Sequence, residues 1–176
     1  MNFVAALQRV EAVLSVGGWS SAVAGGVALA AYGNPRLTID LDIVTESGAQ
    51  PDLVTALESA GYRTLYRSAG FSNHLHSDTE WGRVDMIYVD AATSAKLFPA
   101  TRLMRGPGGR EIRVPRPEHL IAMKVQAIAN APERTWQDLA DVRHLLALPD
   151  VDHDEARQYF VKAGLLSRWE DLCSER

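Results

Sequence analysis

The sequence predicts an α/β (α+β) protein: a mixed central sheet flanked by helices, followed by a C-terminal helical subdomain packed on that core. Three observations predict it. Short β-branched or alternating runs, Thr38–Thr45, Tyr62–Arg67, Phe71–His76 and Arg83–Val89, read as strands. Segments with apolar residues three and four apart precede and interrupt them and read as helices. After Val114 the strand pattern ceases and only helical periodicity remains. The expected division is therefore residues 1–114 for the core and 115–176 for the helical part, with no long linker between them.

In chain order, Phe3, Leu7, Val10 and Leu14 mark an amphipathic helix over residues 2–16, which Gly17-Gly18 ends. A short strand follows, near Ser20–Ala24. Gly25-Gly26 opens a small apolar helix, Val27–Tyr32, which Gly33-Asn34-Pro35 stops. Pro51–Ala60 is a helix with Leu53, Val54 and Leu57 facing the core, and Gly61 terminates it. Residues 101–114 form a hairpin around Gly106-Pro107-Gly108-Gly109. Pro117 suits the first turn of a helix whose apolar face runs from Leu120 to Ile128 and which Pro132 breaks. Further helices are expected over Glu133–Leu148, Asp154–Ala163 and Leu165–Leu172.

Composition excludes several classes. The chain has 176 residues, 47 % hydrophobic and 23 % charged, close to an ordinary globular domain and unlike a disordered chain. The formal net charge of −4 argues against coating nucleic acid by bulk charge, while leaving room for a local basic groove. A single cysteine, Cys173, precludes an intrachain disulfide and a cysteine-rich zinc cage. No apolar run is long enough to span a membrane, and the first residues lack the basic region of a secretory signal, so a cytoplasmic location is expected.

Asp40-Leu41-Asp42 carries the chemistry. It lies inside Leu37-Thr38-Ile39-Asp40-Leu41-Asp42-Ile43-Val44, so strand alternation puts both carboxylates on one face and the aliphatic residues on the other. Two like charges about 7 Å apart repel unless a cation or proton neutralises them. Such a pair makes a half-site for Mg²⁺, with Mn²⁺ as the alternative. A solvated edge-strand face is the plainer account of an isolated Asp-x-Asp. Two further features favour the chemical one. Gly25-Gly26 precedes the acids by a short helix and turn, and glycines opening a helix let backbone amides approach a phosphate, although close packing also explains a glycine pair. Asp85 stands in a second apolar frame, Arg83-Val84-Asp85-Met86-Ile87-Tyr88-Val89; if the two strands pair, three carboxylates meet. Three carboxylates around two metals suit phosphoryl or nucleotidyl transfer.

Ala24-Gly25-Gly26, thirteen residues, Asp40-Leu41-Asp42 and then Asp85 on a later strand resemble the DNA polymerase β-type nucleotidyltransferase superfamily over roughly residues 1–148. The resemblance implies a nucleotidyltransferase fold. It further implies that Gly25 and Gly26 contact a nucleoside triphosphate, that Asp40 and Asp42 bind both metals, and that Asp85 binds the catalytic metal and helps deprotonate the acceptor. More finely, Arg36-Leu37-Thr38-Ile39-Asp40-Leu41-Asp42 resembles the Arg-x-Thr-x-Asp-x-Asp form of abortive-infection-type nucleotidyltransferase toxins from type IV toxin–antitoxin pairs. Pro117-Glu118-His119-Leu120-Ile121-Ala122-Met123-Lys124, Arg134 and Asp138-Leu139-Ala140-Asp141 agree with it. That likeness implies a triphosphate contact for Lys124 and support from Asp138. Gln137 departs from the lysine common before Asp138, so Arg134 or Arg143 would have to supply the second basic contact.

Other residues have plainer alternatives. Lys124 lies among Leu120, Ile121, Ala122, Met123, Val125 and Ile128, where a lysine either snorkels to solvent or meets an anion. Asp138 and Asp141 share a helix face, which is also the pattern of a solvated acidic surface. Arg36 and Thr38 are expected at the nucleotide, with a surface ion pair as the alternative for Arg36. His74 and His76 share a strand face, but no third zinc ligand is evident; lining an acceptor groove is the better reading. Arg102, Arg105, Arg110, Arg113 and Arg116 form a basic interval that reads as a solvated hairpin or an RNA-backbone contact. The four tryptophans are expected in the core or partly buried.

The expectation is an enzyme that moves a nucleoside monophosphate from a nucleoside triphosphate, ATP among them, to an acceptor hydroxyl. The acceptor is a tRNA 3′ end or a protein, and a cognate antitoxin is the expected partner. The alternatives are transfer to an aminoglycoside-like small molecule and a catalytically silent nucleotide-binding relative.

Overall fold

The computed structural model describes residues 1–131 and 135–174. It is a mixed α/β structure. Contacts divide it into two compact units, Met1–Pro115 and Arg116–Arg176.

In the first unit, α1 (Phe3–Gly17) is capped by Asn2, whose side chain accepts from the Ala5 N–H, and ends at Gly18 in the left-handed conformation. The strands are β1 (Ser21–Val23), β2 (Asp40–Glu46), β3 (Tyr62–Arg67), β4 (Phe71–His76) and β5 (Arg83–Val89). The helix α2 (Gly25–Ala31) follows β1, and α3 (Gln50–Ser59) follows β2. The sheet order is β1-β2-β5-β4-β3. Only β2 and β5 run parallel; the other neighbours are antiparallel. The parallel pair at the centre needs a long crossover, and the segment through α3, β3 and β4 supplies it.

Alternation then sorts side chains between the two faces. Leu41, Ile43, Val84 and Met86 point one way and are almost wholly buried, while Asp40 and Asp42 point the other and are half-buried. Buried Leu7, Val10 and Leu14 of α1 add to this core, and α1 contacts both α3 and β2. After β5 comes α4 (Ala91–Leu97), capped by the Asp90 carboxylate, which accepts from the Thr93 N–H. The hairpin of β6 (Arg102–Arg105) and β7 (Glu111–Val114) completes the unit.

The second unit contains α5 (Pro117–Asn130), α6 (Thr135–Leu146), α7 (His153–Lys162) and α8 (Leu166–Ser174). Its core includes Ile121, Val125, Val142, Leu145 and Phe160. Arg116 ties α5 to α7: its guanidinium donates to both Glu155 oxygens, at 2.5 and 2.7 Å. Tyr159 donates to the same carboxylate, and burial together with that anion pushes its phenol up to about 12. No helix among the described residues is long and apolar enough to cross a membrane.

The expected strand over Thr38–Thr45 begins two residues later. Asp40 is the first residue with a partner, Arg83, on β5, and the β1 pairing spans only Ile43 to Thr45. Thr38 and Ile39 have no strand beside them, and Ile39 is 72 % exposed. The helix α4 was not expected from the sequence; it buries only Leu97 and so carries little hydrophobic periodicity.

Candidate functional site

Register brings the three predicted acids together. In the parallel pair Asp42 stands opposite Asp85 and Asp40 opposite Arg83. Neighbouring strands lie about 4.8 Å apart and residues two apart on a strand about 7 Å, so the carboxylates sit on one patch of one sheet face. Asp85 is the buried member, with its side chain 7 % exposed.

The glycine pair meets the same patch. Gly25 has φ +56°, and a Cβ built on it would lie 1.8 Å from Asp42 Oδ2. Any side chain there would displace the carboxylate. At Gly26 a Cβ would come within 2.8 Å of the Thr38 side chain. The Thr38 hydroxyl in turn donates to Asp40 Oδ1 at 2.6 Å. Thr38, expected at the nucleotide, is thus seen orienting an acid. The Ala24 N–H donates to the Asp42 carbonyl at 2.9 Å, which ties the start of α2 to the acid strand. Arg36 lies half-buried in the preceding loop.

Two participants were missed by sequence reasoning. Arg83 Nε donates to Asp85 Oδ1 at 2.8 Å, and Asn73 Nδ2 donates to the same oxygen at 2.8 Å. Asn73 is the β4 residue directly opposite Asp85. Arg83 lies two residues before Asp85, which puts it on the acid face; that spacing was the available signal. The bond to Asp85, with the charges of Asp85, Asp40 and Asp42, pushes the Arg83 guanidinium above its ordinary value despite partial burial.

The donor set bears on the metal. Among the described residues no three His, Cys, Asp or Glu side chains are placed to hold an ion by themselves. Asp40 and Asp42 nevertheless fit a hard divalent cation as a half-site. Mg²⁺ is commonly bound through one or two carboxylates plus substrate phosphates, with no all-protein cage.

Lys124 and Asp138, expected at the nucleotide, belong to the helical unit and meet one another there. Lys124 Nζ donates to Asp138 Oδ1 at 2.8 Å and pairs with Asp141 Oδ2 at 2.7 Å. Both aspartates are buried, so the solvated-face account does not hold for them. A triphosphate contact would fall to an ammonium that two carboxylates already hold. Arg134 lies outside the described residues.

His74 is fully buried and cannot line a groove. Thr64 gives its one proton to Glu58, so His74 Nδ1 donates to Thr64, at 3.1 Å. Nε2 shares a hydrogen bond with the Ser72 hydroxyl at 2.8 Å, and Ser72 shares another with the Tyr88 hydroxyl at 2.8 Å. Burial lowers the pKa of the ring. His76 accepts from the Asp78 N–H and packs edge-on against Tyr62. In the basic interval Arg110 pairs with Glu11 and Arg116 with Glu155, so the interval is not a uniform cationic surface. Trp136, at 79 % exposure, departs from the buried default. A cavity of about 510 Å³ bordered by Leu7, Val23 and Ile43 contains none of the predicted site residues.

The chain is similar over most or nearly all of its length to solved nucleotidyltransferase structures, at identities that speak to fold alone. The antibiotic-resistance factor ANT(2'')-Ia matches with TM-score 0.67 and 16 % identity, covering 99 % of this chain and 98 % of the other. An antigenic nucleotidyltransferase-like protein from Paracoccidioides brasiliensis matches at 0.53 and 17 %, covering 98 % and 88 %. The lincosamide antibiotic adenylyltransferase LnuA matches at 0.52 and 14 %, covering 81 % and 96 %. Among curated proteins none matches. The family model for the AbiEii nucleotidyl transferase toxin of type IV toxin–antitoxin systems matches residues 18–172, both units included, and the chain therefore belongs to that family.

Proposed function

We propose that this chain transfers a nucleoside monophosphate from a nucleoside triphosphate to an acceptor hydroxyl, and that it does so as the toxin of a toxin–antitoxin pair. One observation carries the reading: Asp42 stands opposite Asp85 on the central parallel strands, with its carboxylate over a glycine that admits no side chain. An acid face with no ligand gains nothing from a space cleared to keep one carboxylate in place.

The residues have separate tasks. Asp40 and Asp42 would hold a divalent cation, which, when bound, offsets phosphate charge and acidifies the acceptor hydroxyl. Thr38 orients Asp40 through its hydrogen bond. Gly25 and Gly26 let a triphosphate approach the backbone at the mouth of α2 without meeting a side chain. Asp85, held by Arg83 and Asn73 in this structure, would complete that cation's carboxylate set and receive the proton from the acceptor hydroxyl. The acceptor oxygen then bonds to the α-phosphorus as the bond to the β-phosphate oxygen breaks, and pyrophosphate leaves. Arg36, half-buried two residues before Thr38, is the basic residue of this unit assigned to the phosphates. Lys124 and Asp138 are assigned to the ion pair they form in the helical unit.

The acceptor proposed is a tRNA 3′ end or a protein hydroxyl, in keeping with the toxin family. The test incubates the purified chain with each labelled nucleoside triphosphate, Mg²⁺ or Mn²⁺, and total tRNA, cell protein or an aminoglycoside. Label on RNA or protein supports the reading, and label only on the small molecule replaces the acceptor. The Asp42→Ala variant should lose transfer by roughly 10²–10³ or more, the scale for deleting one preorganised electrostatic group. Transfer that survives this change refutes the role assigned to Asp42.

A further inference from the structure

The acid face already contains a cation. Arg83 lies opposite Asp40 in register and donates to Asp85, so one guanidinium faces three carboxylates. The two members of the ion pair differ in freedom. The Asp85 side chain is 7 % exposed, whereas that of Arg83 is 41 % exposed. Asp85 is the costly member to leave uncompensated, because a buried carboxylate without a positive partner or hydrogen bonds is strongly disfavoured. Arg83 holds it by a single Nε contact and not by the bidentate fork that makes arginine–carboxylate pairs strongest. Asn73 donates to the same oxygen and would stay in place if Arg83 moved.

We propose that Arg83 is a resident counter-ion: it holds Asp85 while the site is free of metal, and it gives up Asp85 to the incoming divalent cation. Arg83 is thus a positioning residue that sets how tightly the acids take a metal. The inference rests on the reading of Asp40, Asp42 and Asp85 as a metal–nucleotide site. It also explains why the acids are not placed as a three-carboxylate cage: the third carboxylate is engaged by Arg83 and Asn73.

The test measures Mn²⁺ affinity of the full-length, nucleotide-free chain by electron paramagnetic resonance. Arg83→Met should bind Mn²⁺ about tenfold more tightly than the unaltered chain, the effect of roughly 1.4 kcal/mol. Arg83→Lys, which keeps the charge, should stay within about threefold of the unaltered chain on that scale. In an Asp85→Asn background, Arg83→Met should tighten binding by less than about threefold, because the released carboxylate is gone. Thermal unfolding gives an independent readout: metal-free Arg83→Met should melt lower than the unaltered chain, and Mn²⁺ should raise its midpoint more. If Arg83→Met folds poorly, Arg83→Gln serves the same comparison. Affinity that is unchanged or weaker in the neutral variant, including no binding by either protein, overturns the proposal. Tightened Mn²⁺ binding without label transfer to any acceptor would leave Arg83 as assigned and reject the transferase reading instead.

Discussion

Two regions of this molecule bring aspartates against a cation, and they do so for different ends. On the sheet of the first unit, Asp40, Asp42 and Asp85 share Arg83, whose side chain is 41 % exposed. In the helical unit, Asp138 and Asp141 share Lys124, whose side chain is 12 % exposed, and both aspartates are sealed. The first set is half-exposed at Asp40 and Asp42 and bordered by a glycine cleared of side-chain bulk. The second is buried, and its two carboxylates share one ammonium. Charge alone does not mark a functional site. Access separates the two, and the sheet cluster is the more exposed.

The sharpest way to break this comparison is to remove the cation from the buried cluster. Lys124→Met should lower unfolding free energy by about 3–5 kcal/mol, since it removes the ammonium that offsets two buried carboxylates. Urea denaturation checks it. Replacing all three residues, Lys124→Met with Asp138→Leu and Asp141→Leu, should recover much of that loss, because a buried ionic cluster contributes little over an apolar one. A triple variant as unstable as the single one would show that the cluster has work beyond packing.

Gly25→Ala probes the open region. Its Cβ would fall 1.8 Å from the Asp42 carboxylate at a φ of +56°, so a stability loss of about 1–3 kcal/mol is expected. Transfer should fall further than that loss explains, because Asp42 is pushed from its place. Equal activity per folded molecule would detach the glycine from the site.

The smallest effect concerns pH. The His74 pKa is lowered by burial, with the Glu58 and Asp85 charges opposing and the Arg67 charge reinforcing the shift. The unfolded chain therefore binds a proton that the folded one resists. The resulting stability is present above the ordinary histidine value of about 6.5 and is lost as pH falls toward the folded value. The slope is at most about 1.4 kcal/mol per pH unit for one proton. His119, lowered in the same direction, contributes similarly. His74→Gln should flatten the acid side of the stability curve, measured by thermal unfolding between pH 5 and pH 8; an unchanged slope would place the titration elsewhere.

Much of the sheet was legible because its punctuation is local. Tyr62–Arg67, Phe71–His76 and Arg83–Val89 occupy the expected residues, each bounded by turn-forming residues and carrying a period of two. Asp40 and Asp42 were legible for the same reason. What alternation cannot convey is register. Asp42 opposite Asp85 follows from how β2 slides against β5, and one residue of slip would turn the acids to opposite faces. Asn73 escaped notice because its role exists only in the β4–β5 register, whereas Arg83 carried a signal in its spacing from Asp85. Lys124 was weighed between solvent and phosphate, whereas its partners lie fourteen and seventeen residues further on, on the next helix. An isolated lysine on an apolar helix face, followed by two aspartates on the apolar side of the next, is the signal that could have joined them.

The most direct test of the central claim compares two labels in one reaction. With an acceptor in hand, a triphosphate labelled at the α-phosphate should leave its label covalently on the acceptor. The same triphosphate labelled at the γ-phosphate should leave its label only in pyrophosphate, and Asp42→Ala should abolish both signals. A γ-label on the acceptor, or α-label transfer undiminished in Asp42→Ala, would contradict the account.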